Sequence, residues 1–496
     1  MEDSKIAQHE LTPRDISEHV EDKAWDEDKI TKAACSDQSP NSSIGEGNVD
    51  SVTDSEKQKI AEGAAHFRRL GWKRLTVVLV VEAIALGVLT LPASFATLGM
   101  VAGTICCIGV GVIAIYASYL VGEMKIAFPT IHHYGDVGTL MLGKFGRELF
   151  GVMFVLQLIL VTASYCLTGT ITFDVLTNNA TCSMVFGIVS AVLLMLLAVM
   201  PSFTDAAILG YIDFGSIMAA IIIAIIATGV EAANKPGGLA GVNWSAWPRP
   251  GTTVADGFIA VSNIVFAYSF AMYQFSFMDE MHKPQDYMKS IWTLGGLEIV
   301  IYTLVGALIY AFVGVDVQSP ALLSMSSLMT KIAFGVALPV IYISGALNNT
   351  VTARYVHLRL YENSVVRYIN TPKGWTTWLL VLLAITVCAW VISEVIPFFN
   401  DLLALSSALF VSGFVLYIPA VMWFMFLRKS EGNNRKRLLH DLSAAFLFCV
   451  GIIVLGGGTY SSIVDIKRQF DRETVRGVFT SLILGCIWLA GSNVHG

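Results

Sequence analysis

Charge is scarce in this chain. Lys, Arg, Asp and Glu supply 14% of its 496 residues, while 55% are hydrophobic. A soluble domain carries roughly 25% charged residues and disperses them among apolar ones. Here the apolar residues gather into long runs, which predicts an all-α polytopic membrane protein. Cysteine is sparse too, with eight in all. Cys106, Cys107, Cys166, Cys388 and Cys449 fall inside apolar runs, Cys35 lies in a polar tail and Cys182 in a short loop. With no C-x-x-C or Cys/His ligand spacing, neither a disulfide nor a metal site is expected. His132 and His133 read as a solvated pair in a loop. The chain lacks G-x-S-x-G, H-E-x-x-H and a Walker loop, which argues against nucleotide hydrolysis and an ATP-driven pump. Acids within or near the runs are few: Glu82, Asp213, Glu298, Glu394 and Asp401. They are too dispersed for an intramembrane enzyme, and no cofactor or nucleic-acid partner is expected.

Residues 1–65 are acidic and Ser-rich, with few large apolar residues. Such a segment buries too little surface to offset its ordering entropy, so disorder is expected. It has no basic n-region ahead of an apolar core, so it is not a signal peptide. Its Lys5, Lys23, Lys29, Lys32, Lys57 and Lys59 and its serines suit it to ubiquitin or phosphorylation machinery.

Eleven apolar runs follow: 74–96, 99–122, 148–172, 184–201, 207–230, 255–278, 290–313, 332–353, 376–397, 401–427 and 441–459. A short piece at 477–491, after Gly456-Gly457-Gly458, is a twelfth candidate. The transmembrane domain is thus 66–466, with a carboxy-terminal tail at 467–496. Arg68, Arg69, Lys73 and Arg74 precede the first run, and the loops after runs two, six, eight and ten are basic. Basic loops mark the cytoplasmic side. The acceptor sequons at Asn179 and Asn243 fall on the opposite side, as glycosylation requires. Lys467, Arg468, Arg472 and Arg476 run against the bias if the eleventh run crosses.

The stretch from Leu75 to Gly99 organises the rest. It is long enough to cross a hydrocarbon core of roughly 30 Å, and Glu82 is its one charged residue. At about 1.5 Å of rise per residue, Glu82 lies on the order of 10 Å inside. A charge at that depth faces protein or a wet cavity. Gly87 and Pro92 follow, and both tolerate or impose unhelical backbone. Irregular backbone survives in a membrane where it lines a cavity or is buried in protein. Polar residues gather elsewhere as well. The sixth run mixes aromatics with Asn263, Ser269, Gln274 and Ser276, the third holds Thr162, Ser164, Tyr165 and Thr168, and the eighth holds Ser344, Asn348, Asn349 and Thr350. Interhelical hydrogen bonding explains any one of these. The set as a whole reads as a polar pathway, with Asn263, Asn348, Asn349 and Thr350 as its gating candidates.

L-G-V-L-T-L-P in the first run, Y-G-D-V-G…G-K-F-G-R in the first basic loop, F-A-Y-S-F…D-E-M-H-K-P at the sixth, and G-T-Y-S-S-I after the eleventh occur in that order. In these the chain, from Gly71 to Ile466, resembles the amino acid/auxin permease family. It is most similar to the fungal neutral and aromatic amino acid permeases of the methyltryptophan-resistance type. The resemblance implies eleven helices in a LeuT/APC-like five-plus-five inverted repeat, with helices one and six broken around a central site. It implies proton-coupled symport of neutral, including aromatic, amino acids. A sensor on the same fold and a Na⁺-coupled transporter are the alternatives. A plasma-membrane location is expected over a vacuolar one. The substrate would meet Ala83, Ile84, Leu86, Gly87, Val88, Tyr165, Phe266, Ala267, Tyr268 and Ser269, with Glu82 as the coupling acid. Amides freed after the first break would hold the α-carboxylate, and carbonyls at both breaks the α-ammonium.

Overall fold

The computed structural model describes residues 71–199, 206–279, 281, 283–361, 372–429 and 432–471. The amino-terminal tail and the 477–491 candidate lie outside these residues. Among them, eight helices are long and apolar enough to cross a membrane, and three shorter apolar helices, Leu86–Leu98, Ser183–Ala198 and Val254–Ala267, fill the remaining places. The eleven apolar runs are thus matched by eleven helical segments.

The first crossing is interrupted. Helix α1 (Trp72–Ala83) stops, a tight turn covers Leu86–Thr90, and α2 (Leu91–Leu98) continues. Helices α3 (Met100–Ala127), α4 (Tyr134–Thr177), α5 (Ser183–Ala198) and α6 (Ala206–Asn234) complete the first repeat. The second begins with another interrupted crossing, α7 (Val254–Ala267) and α8 (Gln274–Asp279). It continues with α9 (Tyr287–Val313), α10 (Ser327–Leu360), α11 (Pro372–Val395) and α12 (Phe399–Ser406). Helix α12 widens into a π-helical segment, Ser407–Tyr417, and runs on through α13 (Ile418–Met422). The last crossing is α14 (Asn434–Ile453) and α15 (Thr459–Asp471).

Two groups of helices pack around the breaks. Helices α4, α5, α6, α10 and α11 form one, with α10 lying against the other four. In the other, α9 packs on α1, α2 and α3, and α7 packs on α2 and α12. The outward sides are apolar: Ile105 is 62% exposed, and Val112, Leu196 and Trp292 are similarly open. Lipid supplies the partner for such a surface. The helix ends sort consistently. Ser290 Oγ donates to Trp72 O at 2.9 Å, so the starts of α1 and α9 share one end, called here the Trp72 end. Met100 N donates to Ser245 O at 2.9 Å and Val315 N to Asn243 O at 3.3 Å, so the loop bearing Asn243 covers the other.

Three local readings change. The first basic loop is itself helical: Tyr134–Leu142 belongs to α4, which turns at Gly143 (φ 64) before the crossing proper. Left-handed backbone favours glycine there. His133, expected in solvent, instead meets Ser276 Oγ of α8 at 3.1 Å. Second, the eleventh crossing, expected to end at 459, widens at Val454–Gly458 and continues to Asp471. A Cβ on Gly457 would stand 2.5 Å from the Phe258 ring, and one on Gly458 2.5 Å from Ser262 Oγ. Those glycines let α7 approach and do not act as terminators. Arg468, against the charge bias at this end, pairs with Asp256 at 3.3 Å and Asp465 at 3.2 Å. Third, Cys182 is disulfide-bonded, contrary to the expectation, while the other described cysteines are free.

Candidate functional site

The two broken crossings meet. At the first break, Ile84 (φ −87, ψ 76) and Ala85 (φ −129, ψ −127) leave the helical region. The Leu86 and Gly87 amides open the following turn, so no intrahelical carbonyl lies behind them. The carbonyl side of this break is partly engaged. Tyr302 Oη of α9 donates to Ala83 O at 2.8 Å, and Thr90 Oγ1 to Gly87 O at 2.8 Å. Pro92 does not cause the break. It sits at the start of α2, where a missing amide costs nothing.

The second break has no glycine. Helix α7 ends at Ala267, Tyr268 (φ −95, ψ 34) leaves the helix, and a tight turn spans Ser269–Met272. Partners on α3 anchor both sides. Cys107 Sγ lies 3.4 Å from Tyr268 Oη, Gln274 Nε2 donates to Ser118 O at 2.9 Å, and Ser118 Oγ donates to Gln274 Oε1. Tyr134, from the helical first loop, lies beneath. Its hydroxyl is 2.7 Å from Phe414 O and 3.3 Å from Ala271 O.

Gly87 is where the breaks touch. A Cβ there would stand 2.9 Å from Ala267 Cα and 3.2 Å from its Cβ. The glycine is needed for close approach, and its missing side chain faces the other break.

Between the breaks lies a small cavity of about 50 Å³ that opens on one side. Of the residues expected to meet a substrate, Ala83, Leu86, Gly87, Tyr165, Phe266, Ala267 and Ser269 line it. Ile84, Val88 and Tyr268 are wholly buried and lie outside the lining. Tyr268 turns away toward Cys107 and Tyr302, with 5.1 Å between the two tyrosine ring centres. Glu82 is in the last turn of α1; its side chain lies outside the described residues.

The gating set separates. Asn348 lines the cavity, accepts from Tyr273 Oη at 3.3 Å and donates to Ser344 O at 3.1 Å. Asn349 bonds Thr386 of α11 at 2.8 Å, and Thr350 bonds Ala198 O at 3.3 Å. Successive residues are rotated by about 100° on a helix, so these two leave the cavity face and tie helices together. Asn263 donates to Asn400 Oδ1 at 2.8 Å, holding α7 to α12. Asp213 accepts from Ser344 Oγ at 2.7 Å. The sequon residues Asn179 and Asn243 are both exposed.

The lining also holds residues missed in the sequence: Gln157, Val161, Phe270, Met272, Tyr273 and Phe277, with Leu79 and Ala85. Gln157 is the informative one. It is wholly buried, its Oε1 accepts from Ser406 Oγ at 2.7 Å, and its Nε2 has no partner. A single amide inside Phe154-Val155-Leu156-Gln157-Leu158 was the signal for it. Among the described residues, none that lines the cavity carries a charge. Leu79 on α1 and Phe277 on α8 extend the cavity toward the Trp72 end.

A family model described as transmembrane amino acid transporter protein matches residues 68–464. The chain belongs to that family. This transporter is 56% identical over 416 residues to the N amino acid transport system protein of Neurospora crassa, covering 84% of this chain and 88% of that one. It is 29% identical over 443 residues to a transmembrane transporter of Fusarium pseudograminearum, covering 89% and 92%. Among solved structures it resembles Mhp1, a nucleobase-cation-symport-1 family transporter, with TM-score 0.51, 11% identity, and 84% and 96% coverage. It also resembles an Eremococcus coleocola manganese transporter, with TM-score 0.53, 12% identity, and 90% and 97% coverage. At these identities the likeness is one of fold. It places the transporter in the LeuT/APC architecture, while membership of the family makes it a multi-pass membrane transporter and not an enzyme.

Proposed function

We propose that this chain is a proton-coupled symporter of neutral amino acids, working by alternating access across the cavity. The observation that carries this reading is the cavity at the two breaks, whose described lining is uncharged and includes the unpartnered Gln157 Nε2. An amino acid presents a carboxylate, an ammonium and a side chain. The Leu86 and Gly87 amides, at the positive end of the following turn, suit the carboxylate. Carbonyls at the second break suit the ammonium, since Ala83 O is already bonded to Tyr302. Phe266, Phe270, Tyr165 and Val161 leave an apolar space for the side chain. A charged side chain would lose its water and gain no counter-charge from the described lining. This supports neutral substrates, aromatic ones among them, and the name of the Neurospora crassa relative agrees with amino acid transport. The reading places the chain with fungal permeases of the methyltryptophan-resistance type.

In this reading the Trp72 end is cytoplasmic, so the cavity leans inward in the arrangement seen. The Asn263–Asn400 bond and the Arg468–Asp256 pair hold the opposite end closed. An inward proton gradient at the plasma membrane would drive uptake. Glu82, next to the first break, is the coupling acid in this scheme. Glu82→Gln mimics the protonated form and cannot release a proton. Reconstituted in liposomes, the variant should keep counterflow exchange and lose accumulation under an imposed pH gradient. Wild-type accumulation driven by a Na⁺ gradient and indifferent to pH would refute proton coupling. Glu82→Gln that concentrates substrate normally would remove Glu82 from the scheme.

A further inference from the structure

Glu298 of α9 is wholly buried, and neither carboxyl oxygen has a hydrogen-bond partner. Among the described residues no cation is paired with it, and an isolated carboxylate at such depth is costly. Its surroundings connect both breaks. One turn further along α9, Tyr302 donates to Ala83 O, the last carbonyl before the first break. Tyr268, at the second break, packs edge-on against Tyr302 and meets Cys107 of α3. The titratable groups beside Glu298 are Tyr302 on its own helix and Tyr268 at the second break, with Cys107 of α3 against Tyr268. Helix α1 contributes Glu82, whose side chain lies outside the described residues. Asp213 on α6 is engaged with Ser344 of α10.

We propose that Glu298 is a second proton-binding site of the transport cycle. It is loaded while Tyr302 holds the first break and emptied when α1 withdraws. The arrangement seen here leaves no partner for a negative charge, so the carboxyl carries its proton. Movement of α1 away from Tyr302 would admit water beside Glu298, and the proton would pass to that water, leaving a hydrated carboxylate. The hydrated carboxylate would keep its charge until the outward-facing arrangement exposes it to the outer solution, which supplies the next proton before the breaks close again. A buried acid one helical turn from Tyr302, which holds the first break, thus links proton occupancy to the position of α1. This inference rests on the proton-coupled reading above.

The test uses the full chain in liposomes containing a pH-sensitive dye, with an inward proton gradient and a labelled neutral amino acid. Wild type should show amino-acid-dependent proton entry. Glu298→Gln should lose the share of that entry carried by Glu298, lowering the protons moved per amino acid, while retaining counterflow. Glu298→Asp keeps a titratable carboxyl on a shorter stem, and should retain coupling with a shifted pH profile of counterflow. Proton entry in Glu298→Gln equal to wild type would overturn the assignment. So would an unchanged pH profile in Glu298→Asp, a reading that stands even where the Gln variant fails to fold. Absence of proton entry in wild type would instead overturn the coupling reading on which the assignment rests.

Discussion

Gly87→Ala adds one methyl where the two breaks touch. Its carbon would stand 2.9 Å from Ala267 Cα, 3.2 Å from Ala267 Cβ and 3.5 Å from Ala267 N. Two of these three atoms are backbone, so no rotamer change relieves the crowding, and the breaks must move apart. Overpacking of this kind costs about 1–3 kcal/mol. A substrate that bridges both breaks needs them close, so the cost falls on the bound state. The half-saturating concentration should then rise by about 5- to 150-fold. Gly87→Leu should abolish uptake, because its branch cannot fit between the breaks. The crowding in Gly87→Ala is small against a stability of about 5–15 kcal/mol, so surface expression should survive. Removing the Ala267 methyl as well, in Gly87→Ala/Ala267→Gly, takes away the 3.2 Å contact and leaves the 2.9 Å one. Partial recovery is expected. The assay is concentration-dependent uptake at matched surface levels. Wild-type kinetics in Gly87→Ala would refute the claim that close approach of the breaks supports binding.

Gln157→Leu removes the unpaired Nε2 donor and the acceptor for Ser406 Oγ. A hydrogen bond to a charged group contributes about 1.5–3 kcal/mol, so apparent affinity should fall by roughly ten- to a hundredfold, read by counterflow. An unchanged affinity would place the substrate away from α4. For orientation, cysteine introduced at Asn243 should react with an impermeant thiol reagent from outside, and cysteine at Lys283 should not. The reverse pattern would invert the assignment of sides.

Much of this architecture was legible because bilayer physics is strict. A crossing must be long, apolar and internally hydrogen-bonded, and the apolar runs met that demand. Their ends were less legible. Helices α4 and α10 extend well past the hydrophobic stretch, because hydropathy reports lipid contact and not where a helix stops. The first break was marked by Gly87 and Pro92, but each acts differently from the simple reading. Gly87 admits Ala267, and Pro92 starts α2. The second break carries no residue that signals it, and only the family resemblance pointed there. Its stabilising partners, Cys107 and Ser118, come from a helix more than 150 positions away in sequence. Asn349 and Thr350 show a further limit. Polar residues in an apolar run reveal that a partner exists, and the helical register decides whether that partner is a substrate or a neighbouring helix.

The account stands on the cavity between the breaks being where the amino acid binds. Ser269 lines it at the second break and is partly accessible. In a background without the exposed Cys388 and Cys449, Ser269→Cys should react with a small thiol reagent. A transported amino acid should protect it, with half-protection at the concentration that half-saturates counterflow. Unabated labelling at saturating amino acid, in a variant that still exchanges substrate, would contradict the account.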